Sequence, residues 1–251
     1  MAQGSSNVER AVDVMLALGD AGPDGMSLRE LCQKVGANKP AVHRTLVALL
    51  QRGFCEHAGK HGHYRLGPAI HLLAKRHDRL EHLVSHLRPG ATEFARRTGF
   101  TVYMMARSGL DAVCTEIISR ISRQHFSLEI GGRIPLGIAA GSLAILSTLP
   151  KKTQDEILAA NAHRYANYPA VHEVDVDVIR DALEDAMRRG FAVNMGYYIP
   201  GLGGLGLPIR REPGGIADLA VSFNAPVEMM TERWMTEIID ELRECLAIQT
   251  E

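Results

Sequence analysis

A chain of 251 residues, 46% hydrophobic and 23% charged, holds enough apolar material for one large core or two ordinary ones. Its net charge of −1 excludes a chain that is basic or acidic throughout. No apolar run approaches the ~20 residues that a bilayer span needs, so no membrane partner is expected.

The first helix is expected from Ser6, with Glu9 three residues on and Val8, Ala11, Val12, Met15 and Leu16 as its buried stripe. A turn-rich connection, residues 19–25, follows. Ser27 and Glu30 then form a capping box that opens a second helix, with Leu28, Leu31, Cys32 and Val35 on one face and Gly36 as its stop. After a very short turn, Asn38 caps a third helix whose first turn tolerates Pro40, and whose Val42, Leu46, Leu49 and Leu50 face inward until Gly53. Two strands around the loop 57–63 complete a wing. Two short helices and a wing are winged helix-turn-helix geometry.

Between residues 27 and 65 the chain carries seven basic side chains (Arg29, Lys34, Lys39, Arg44, Arg52, Lys60 and Arg65) against Glu30 and Glu56. In a chain that is almost neutral overall, that excess is local. It is the electrostatic footprint of a protein that sits on DNA phosphates, although a winged helix also serves protein contacts in some settings.

Gly67-Pro68 opens a further helix, in which Ile70, Leu73, His77, Leu80, Val84 and Leu87 recur in steps of three and four. That seam suits pairing with a second copy or a neighbouring domain. Pro89-Gly90 is read as a break and a domain boundary, followed by a short helix over 91–98. From Phe100 the period becomes two: residues 100–107 and 112–119 flank the turn 108–111 as a hairpin, and residues 126–130 suggest another strand. A strand end at residues 131–136 turns into an apolar helix near Ile138. Helices are expected over 152–162 and 176–189, strands at 191–193, 206–210 and 216–223, and a closing helix over 227–247 with Met230, Trp234, Ile238, Leu242 and Leu246 on one stripe. This order describes an antiparallel sheet flanked by helices, an α+β domain.

The four cysteines, Cys32, Cys55, Cys114 and Cys245, lack paired spacing, and no secretory signal is visible, so a reducing cytoplasmic setting is expected. Residues 201–206 match G-x-G-x-x-G, but no helix follows; the stretch reads as a flexible loop beside a pocket rather than a dinucleotide site. His57, His61 and His63 have no Cys or carboxylate companions for a tetrahedral metal set. Ser142 lacks both a nucleophile elbow and a spaced base. No metal, cofactor or catalytic residue is assigned.

The whole chain resembles the IclR family of bacterial transcriptional regulators. The likeness rests on residues 41–54 (AVHRTLVALLQRGF), 64–67 (YRLG), 131–136 (GGRIPL), 188–194 (RRGFAVN) and 220–226 (AVSFNAP). It implies a winged helix-turn-helix over residues 1–67, a linker helix over 68–88 and a GAF-like effector-binding domain over 89–251. It also implies a homodimer or homotetramer on a pseudo-palindromic operator in double-stranded DNA.

For the DNA contact, Lys39, Ala41, His43, Arg44, Thr45 and Ala48 lie off the buried stripe of the recognition helix. Arg44 suits a guanine edge or a phosphate, Thr45 and His43 can donate to bases, and Ala41 can meet a thymine methyl. Arg52, Lys60 and Arg65 are phosphate candidates. The resemblance places an effector pocket at Ala140, Gly141, Asn194, Met195, Gly204, Ser222 and Asn224. Relatives often carry His, Gly and Lys where this chain has Gly137, Ser142 and Leu143, and some carry an acid and a Cys in place of Met195 and Gly204. The pocket is therefore expected to be less polar and roomier, with Tyr103, Met104, Met105, Tyr197, Tyr198 and Phe223 available to line it. The effector is expected to be a small organic acid, aromatic or otherwise apolar. A small-molecule-binding module with a protein-contacting winged helix and an enzyme using the same cavity remain the other classes open at this point.

Overall fold

The computed structural model describes residues 5–76, 79–119, 128–166, 174–199 and 201–247. The chain divides into two compact units, Met1–Asp78 and Arg79–Glu251, a division inside the segment expected to link them.

In the first unit, helices α1 (Ser6–Gly19), α2 (Leu28–Val35) and α3 (Lys39–Gln51) pack with a small sheet of β1 (Met26–Ser27), β2 (Cys55–His57) and β3 (His63–Leu66) in the order β1-β3-β2. The capping box forms as the sequence requires: the Ser27 backbone N–H donates to Glu30 Oε2 at 2.7 Å, and the Glu30 N–H donates back to Ser27 Oγ at 3.3 Å. Gly36 ends α2 in the left-handed region at φ 67°, where a Cβ would be strained. Asn38 Oδ1 accepts from the Ala41 N–H at 3.0 Å and starts α3. Leu31, Val42, Leu46 and Leu49 are buried together with Cys55.

The stripe expected on α1 needs correction. Val14, Ala17 and Leu18 are buried, whereas Val8 is 63% and Leu16 54% exposed. Apolar residues occupy most of this helix, so two rival stripes exist in the sequence, and packing on α2 and α3 selects the one that includes Val14.

Beyond the wing, the described residues of the expected linker are helical, as α4 (Pro68–Arg76) and the start of α5 (Arg79–Thr98); His77, on the proposed seam, lies outside the described residues. Leu73 is exposed, whereas Val84 and Leu87 are buried in the core of the second unit. Pro89-Gly90 does not break the chain: Pro89 lies inside α5. An interior proline forfeits one helical hydrogen bond and crowds the preceding turn. Packing offsets that loss, because a Cβ on Gly90 would stand 2.1 Å from the Cys245 carbonyl oxygen. Glycine here lets α5 cross the closing helix at backbone distance.

The second unit is a six-stranded antiparallel sheet, ordered β6-β5-β4-β9-β8-β7. Its strands are β4 (Val102–Ser108), β5 (Asp111–Ile118), β6 (Arg133–Pro135), β7 (Ala192–Ile199), β8 (Leu202–Ile209) and β9 (Leu219–Pro226). No strand is assigned at residues 128–130, and the rest of the strand expected over 126–130 lies outside the described residues. Helices α5 and α9 (Glu232–Cys245) cover one face, over Val102, Met104, Leu205, Leu207, Val221 and Phe223. Helices α6 (Ala140–Leu146), α7 (Lys151–Ala166) and α8 (Val176–Arg189) cover the other, over Tyr103, Met105, Cys114 and Ala220. Strands buried on both faces explain why their residues read as continuous apolar runs rather than a clean alternation.

Residues 201–206, expected to form a loop, mostly belong to strand β8. Their glycines make room rather than flexibility. A Cβ on Gly203 would lie 1.9 Å from Met230 Sδ, and one on Gly206 would lie 2.3 Å from the Ala140 carbonyl oxygen. The closing helix also begins later than expected: a 3-10 turn over Val227–Met229 precedes Thr231, whose side chain accepts from the Trp234 N–H and caps α9.

Candidate functional site

On the recognition helix α3, Lys39, His43, Arg44 and Ala48 are exposed on the face away from the buried stripe. Ala41 is not available: it is 7% exposed, at the end of the helix start that Asn38 folds over. The assignment of Ala41 to a thymine methyl is therefore corrected. Thr45 is half-buried, and its hydroxyl donates to the Ala41 carbonyl oxygen at 3.2 Å, which leaves it an acceptor toward bases. Val47, which periodicity alone did not single out, is exposed among these residues.

Arg52 stands at the C-cap of α3, and Lys60 is exposed in the wing loop. Neither they nor Arg29, Lys39 and Arg44 take part in an ion pair among the described residues. Arg65 differs, since its Nε lies 2.7 Å from Glu56 Oε1 across the β2–β3 ladder. Lys34 is likewise held by Asp20 at 2.7 Å. The unengaged cations are thus concentrated on α3 and the wing tip.

The second site lies where α6 meets the sheet. Register sets Tyr103, Ser222 and Gly206 in one row across β4, β9 and β8, and sets Asn224, Gly204 and Asn194 in the next row across β9, β8 and β7. The missing side chain of Gly206 lets the first residues of α6 rest on the strand itself, and a Cβ on Gly141 would come 2.7 Å from Ser222 Oγ. A cavity of about 40 Å³ remains there, walled by Met105, Leu128, Ile134 and Tyr103 and edged by Ala139, Ala140, Gly141, Ser222 and Asn224.

The loop into α6 is pinned at successive backbone groups. The Tyr165 hydroxyl donates to the Leu136 carbonyl, and burial pushes that hydroxyl's pKa up to about 12. Ser142 Oγ accepts from the Gly137 and Ala139 N–H groups at 3.2 and 3.1 Å. Asn194 Nδ2 donates to the Ile138 carbonyl oxygen at 2.7 Å. Nothing caps the helix itself: its N-cap is Ala139, with no side-chain bond, so the Ala140 and Gly141 N–H groups are left without a protein acceptor among the described residues. The Ser222 hydroxyl and the Asn224 amide also lack hydrogen-bond partners among the described residues.

Of the seven positions expected to contact effector, Ala140, Gly141, Ser222 and Asn224 edge the cavity directly. Gly204 forms part of the strand beneath Ala140, 3.0 Å from a built Cβ to the Ala140 Cβ. Asn194 faces the same side but is spent on positioning the loop. Met195 requires correction, because the alternation of β7 turns it to the opposite side, where it is 42% exposed. Met104 is likewise committed to the opposite core, whereas Tyr103, Met105 and Phe223 border the cavity. The expected roominess is corrected too: the space at this volume holds a few waters or a carboxylate, not a ring. The side chains of Tyr197 and Tyr198 lie outside the described residues. Leu128 and Ile134 were missed, and the apolar position inside GGRIPL was the one signal pointing to Ile134.

Comparison with known proteins joins the two sites. The pattern described as bacterial transcriptional regulator IclR C-terminal matches residues 78–248, and the IclR helix-turn-helix domain matches residues 7–59. The chain belongs to the IclR family. Like other members, this IclR-family chain is a transcriptional regulator with a DNA-binding helix-turn-helix and an effector-binding C-terminal domain. It is 29% identical over 220 residues to an HTH-type transcriptional regulator of Mycobacterium tuberculosis, covering 88% of this chain and 81% of that one. It is 24% identical over 218 residues to the transcriptional repressor IclR of Escherichia coli, covering 84% and 77%. Among solved structures, an IclR homolog from Microbacterium hydrocarbonoxydans complexed with 4-hydroxybenzoate superposes with a TM-score of 0.76 at 21% identity, over 96% of this chain and 97% of that one.

Proposed function

We propose that this regulator grips a pseudo-palindromic operator through α3 and the wing, as a homodimer or homotetramer in the cytoplasm, and that a small organic acid in the α6 cavity shifts its hold on DNA. The observation that carries the DNA reading is the set of exposed, unengaged cations on one helix and its wing: Lys39, Arg44, Arg52 and Lys60. Arg44 and His43 reach base edges, while Arg52, Lys60 and, once released from Glu56, Arg65 meet phosphates. Binding to upstream duplex should weaken linearly in log salt. An affinity no greater than that of a neutral control at low salt removes the reading.

Four donors without protein partners among the described residues support the acid: the Ala140 and Gly141 N–H groups, the Ser222 hydroxyl and the Asn224 amide border a space with apolar walls. Donors of this kind suit a carboxylate, and the apolar walls favour a hydrophobic remainder over a short keto acid. A ring needs more room than the cavity now offers, and flexible Met105 is the wall that can yield it. The related homolog's 4-hydroxybenzoate makes it a suitable first probe. Thermal-shift titration should show stabilisation by aromatic acids and less by pyruvate, with the effect reduced in Ser222→Ala. Stabilisation by short polar keto acids alone overturns the aromatic preference. Residues 68–88 are the segment proposed to carry the change, which requires that ligand bind two arrangements of the assembly unequally.

A further inference from the structure

The second unit carries another concave site that the regulator reading leaves unused. It lies along the β7 edge of the sheet, between α8 and the start of α9 and away from the α6 cavity, and measures about 450 Å³. That volume falls within the range of small-molecule sites. Its floor is apolar: Val193, Met195, Met230 and Met235. Met230 reaches the floor only because Gly203 has no side chain, since a Cβ there would stand 1.9 Å from the Met230 sulfur. Methionines make a surface that moulds to ligands of varied shape.

The rim has the opposite character to the donors around α6. Asp181, Asp185 and Glu232 border the groove, and Arg189 is the cation among the lining residues. That arginine is already committed: its Nε lies 2.5 Å from Asp185 Oδ2, and its remaining nitrogens pair with Glu232. Asp181 is exposed and takes part in no ion pair among the described residues. Arg188 also pairs with Asp185, so three carboxylates against Arg188 and Arg189 leave the mouth one negative charge, that of Asp181, above a floor that favours apolar surface.

We propose that this groove is a second ligand site for an amphipathic organic cation, whose apolar body rests on the methionine floor while its charged head is held by Asp181 at the acidic rim. The charge and the apolar floor together select this class over an organic acid or a neutral oil. The cation is received at the β7 edge of the sheet, apart from the proposed acid, so one domain offers two chemically distinct sites.

The test titrates benzyltriethylammonium into the full chain by calorimetry at low salt, with benzyl alcohol as the neutral comparison. One saturable site per chain is expected, weaker for the alcohol, weakening as salt is raised, and unmoved by excess 4-hydroxybenzoate. Asp181→Asn should weaken it by about threefold, the scale of a single exposed charge interaction, and Asp181→Lys should abolish it. Asp181→Asn is nearly isosteric, so it keeps the proposal testable if the lysine variant fails to fold. Absence of saturable binding, binding indifferent to both substitutions, or competition by 4-hydroxybenzoate overturns the proposal. So does a change of oligomeric mass in Asp181→Lys without probe binding, which assigns the groove to a contact between copies.

Discussion

The starts of α3 and α6 solve the same problem in opposite ways. Every helix begins with N–H groups that have no intrahelical partner. At α3 the chain supplies its own acceptor, Asn38 Oδ1, 3.0 Å from the Ala41 N–H. At α6 the N-cap is an alanine, and the Ser142 hydroxyl nearby is turned to the loop before the helix instead. The reader domain is thus complete in itself and places its chemistry outward, as cations on a rigid frame. The sensor domain leaves the first amides of α6 without a protein acceptor among the described residues. The self-capped helix carries a surface; the uncapped one borders a cavity.

The largest effect is expected where that uncapped helix rests on the sheet. In Gly206→Ala the new methyl would stand 2.3 Å from the Ala140 carbonyl oxygen, and backbone cannot yield as a flexible side chain does. Overpacking of this kind costs about 3 kcal/mol. The single tryptophan, Trp234, lies in α9 and reports only the sensor unit, so urea unfolding followed by its fluorescence isolates the loss. Gly59→Ala in the wing, where nothing lies within 4 Å of the added carbon, should change the stability of its own unit, read by circular dichroism, by less than about 0.5 kcal/mol. Equal effects at the two glycines would erase the contrast between a fitted contact and a free surface.

The next effect concerns the reader alone. Arg44→Ala should weaken operator binding by about 1–3 kcal/mol if Arg44 reads a base, measured by gel-shift titration against a mismatched duplex. Lys60→Ala should weaken all sequences alike and reduce the salt slope by about 1. Because Arg65 is paired with Glu56 at 2.7 Å, Glu56→Gln should have the opposite sign, strengthening DNA binding and steepening the slope. A flat response to Glu56→Gln would show that Arg65 points away from the duplex.

What the sequence made legible follows the same division. The reader could be read almost residue by residue, because its signals are local: the Ser27–Glu30 box, Gly36, Asn38 and the Gly53 turn each act within four positions. The misreadings there, the α1 stripe and Ala41, came from a helix apolar on two sides and from a burial set by neighbours far along the chain. In the sensor the hairpin and α8 were legible, since the turn at residues 108–111 and Gly190, left-handed at φ 75° just after α8, act locally. The break at Pro89 and the loop at residues 201–206 were misread because glycines look alike whether they loosen a chain or admit a neighbour. Gly90 and Gly206 are explained by Cys245 and Ala140, contacts that no local window contains. Met195 went astray by one residue of strand alternation, which is enough to change faces.

A smaller effect tests the self-capped side. Ser27→Ala should destabilise the reader by about 1 kcal/mol. The Ser27 hydroxyl and backbone N–H hold the Glu30 carboxylate below its ordinary value of 4.5. A carboxylate lowered on folding stabilises the fold above its unfolded value, and that support fades as the pH falls through the folded value. The gap between wild type and Ser27→Ala should therefore be full at neutral pH and narrow below about 4.5, read from unfolding curves across the acid range.

The smallest change cuts most directly into the comparison. Ala139→Ser gives α6 the acceptor it lacks, and a serine N-cap is worth roughly 0.5–1 kcal/mol where geometry allows. Ala139 has the extended backbone of an N-cap, φ −119° and ψ 156°, so no rearrangement is needed for the hydroxyl to reach the first-turn amides. Self-capping and ligand capping then compete at the Gly141 N–H. The variant should melt higher than wild type without ligand and gain less from 4-hydroxybenzoate, two shifts of opposite sign from one oxygen atom. If it gains as much as wild type, the α6 amides do not receive the acid, and Ser222 and Asn224 must hold it without them.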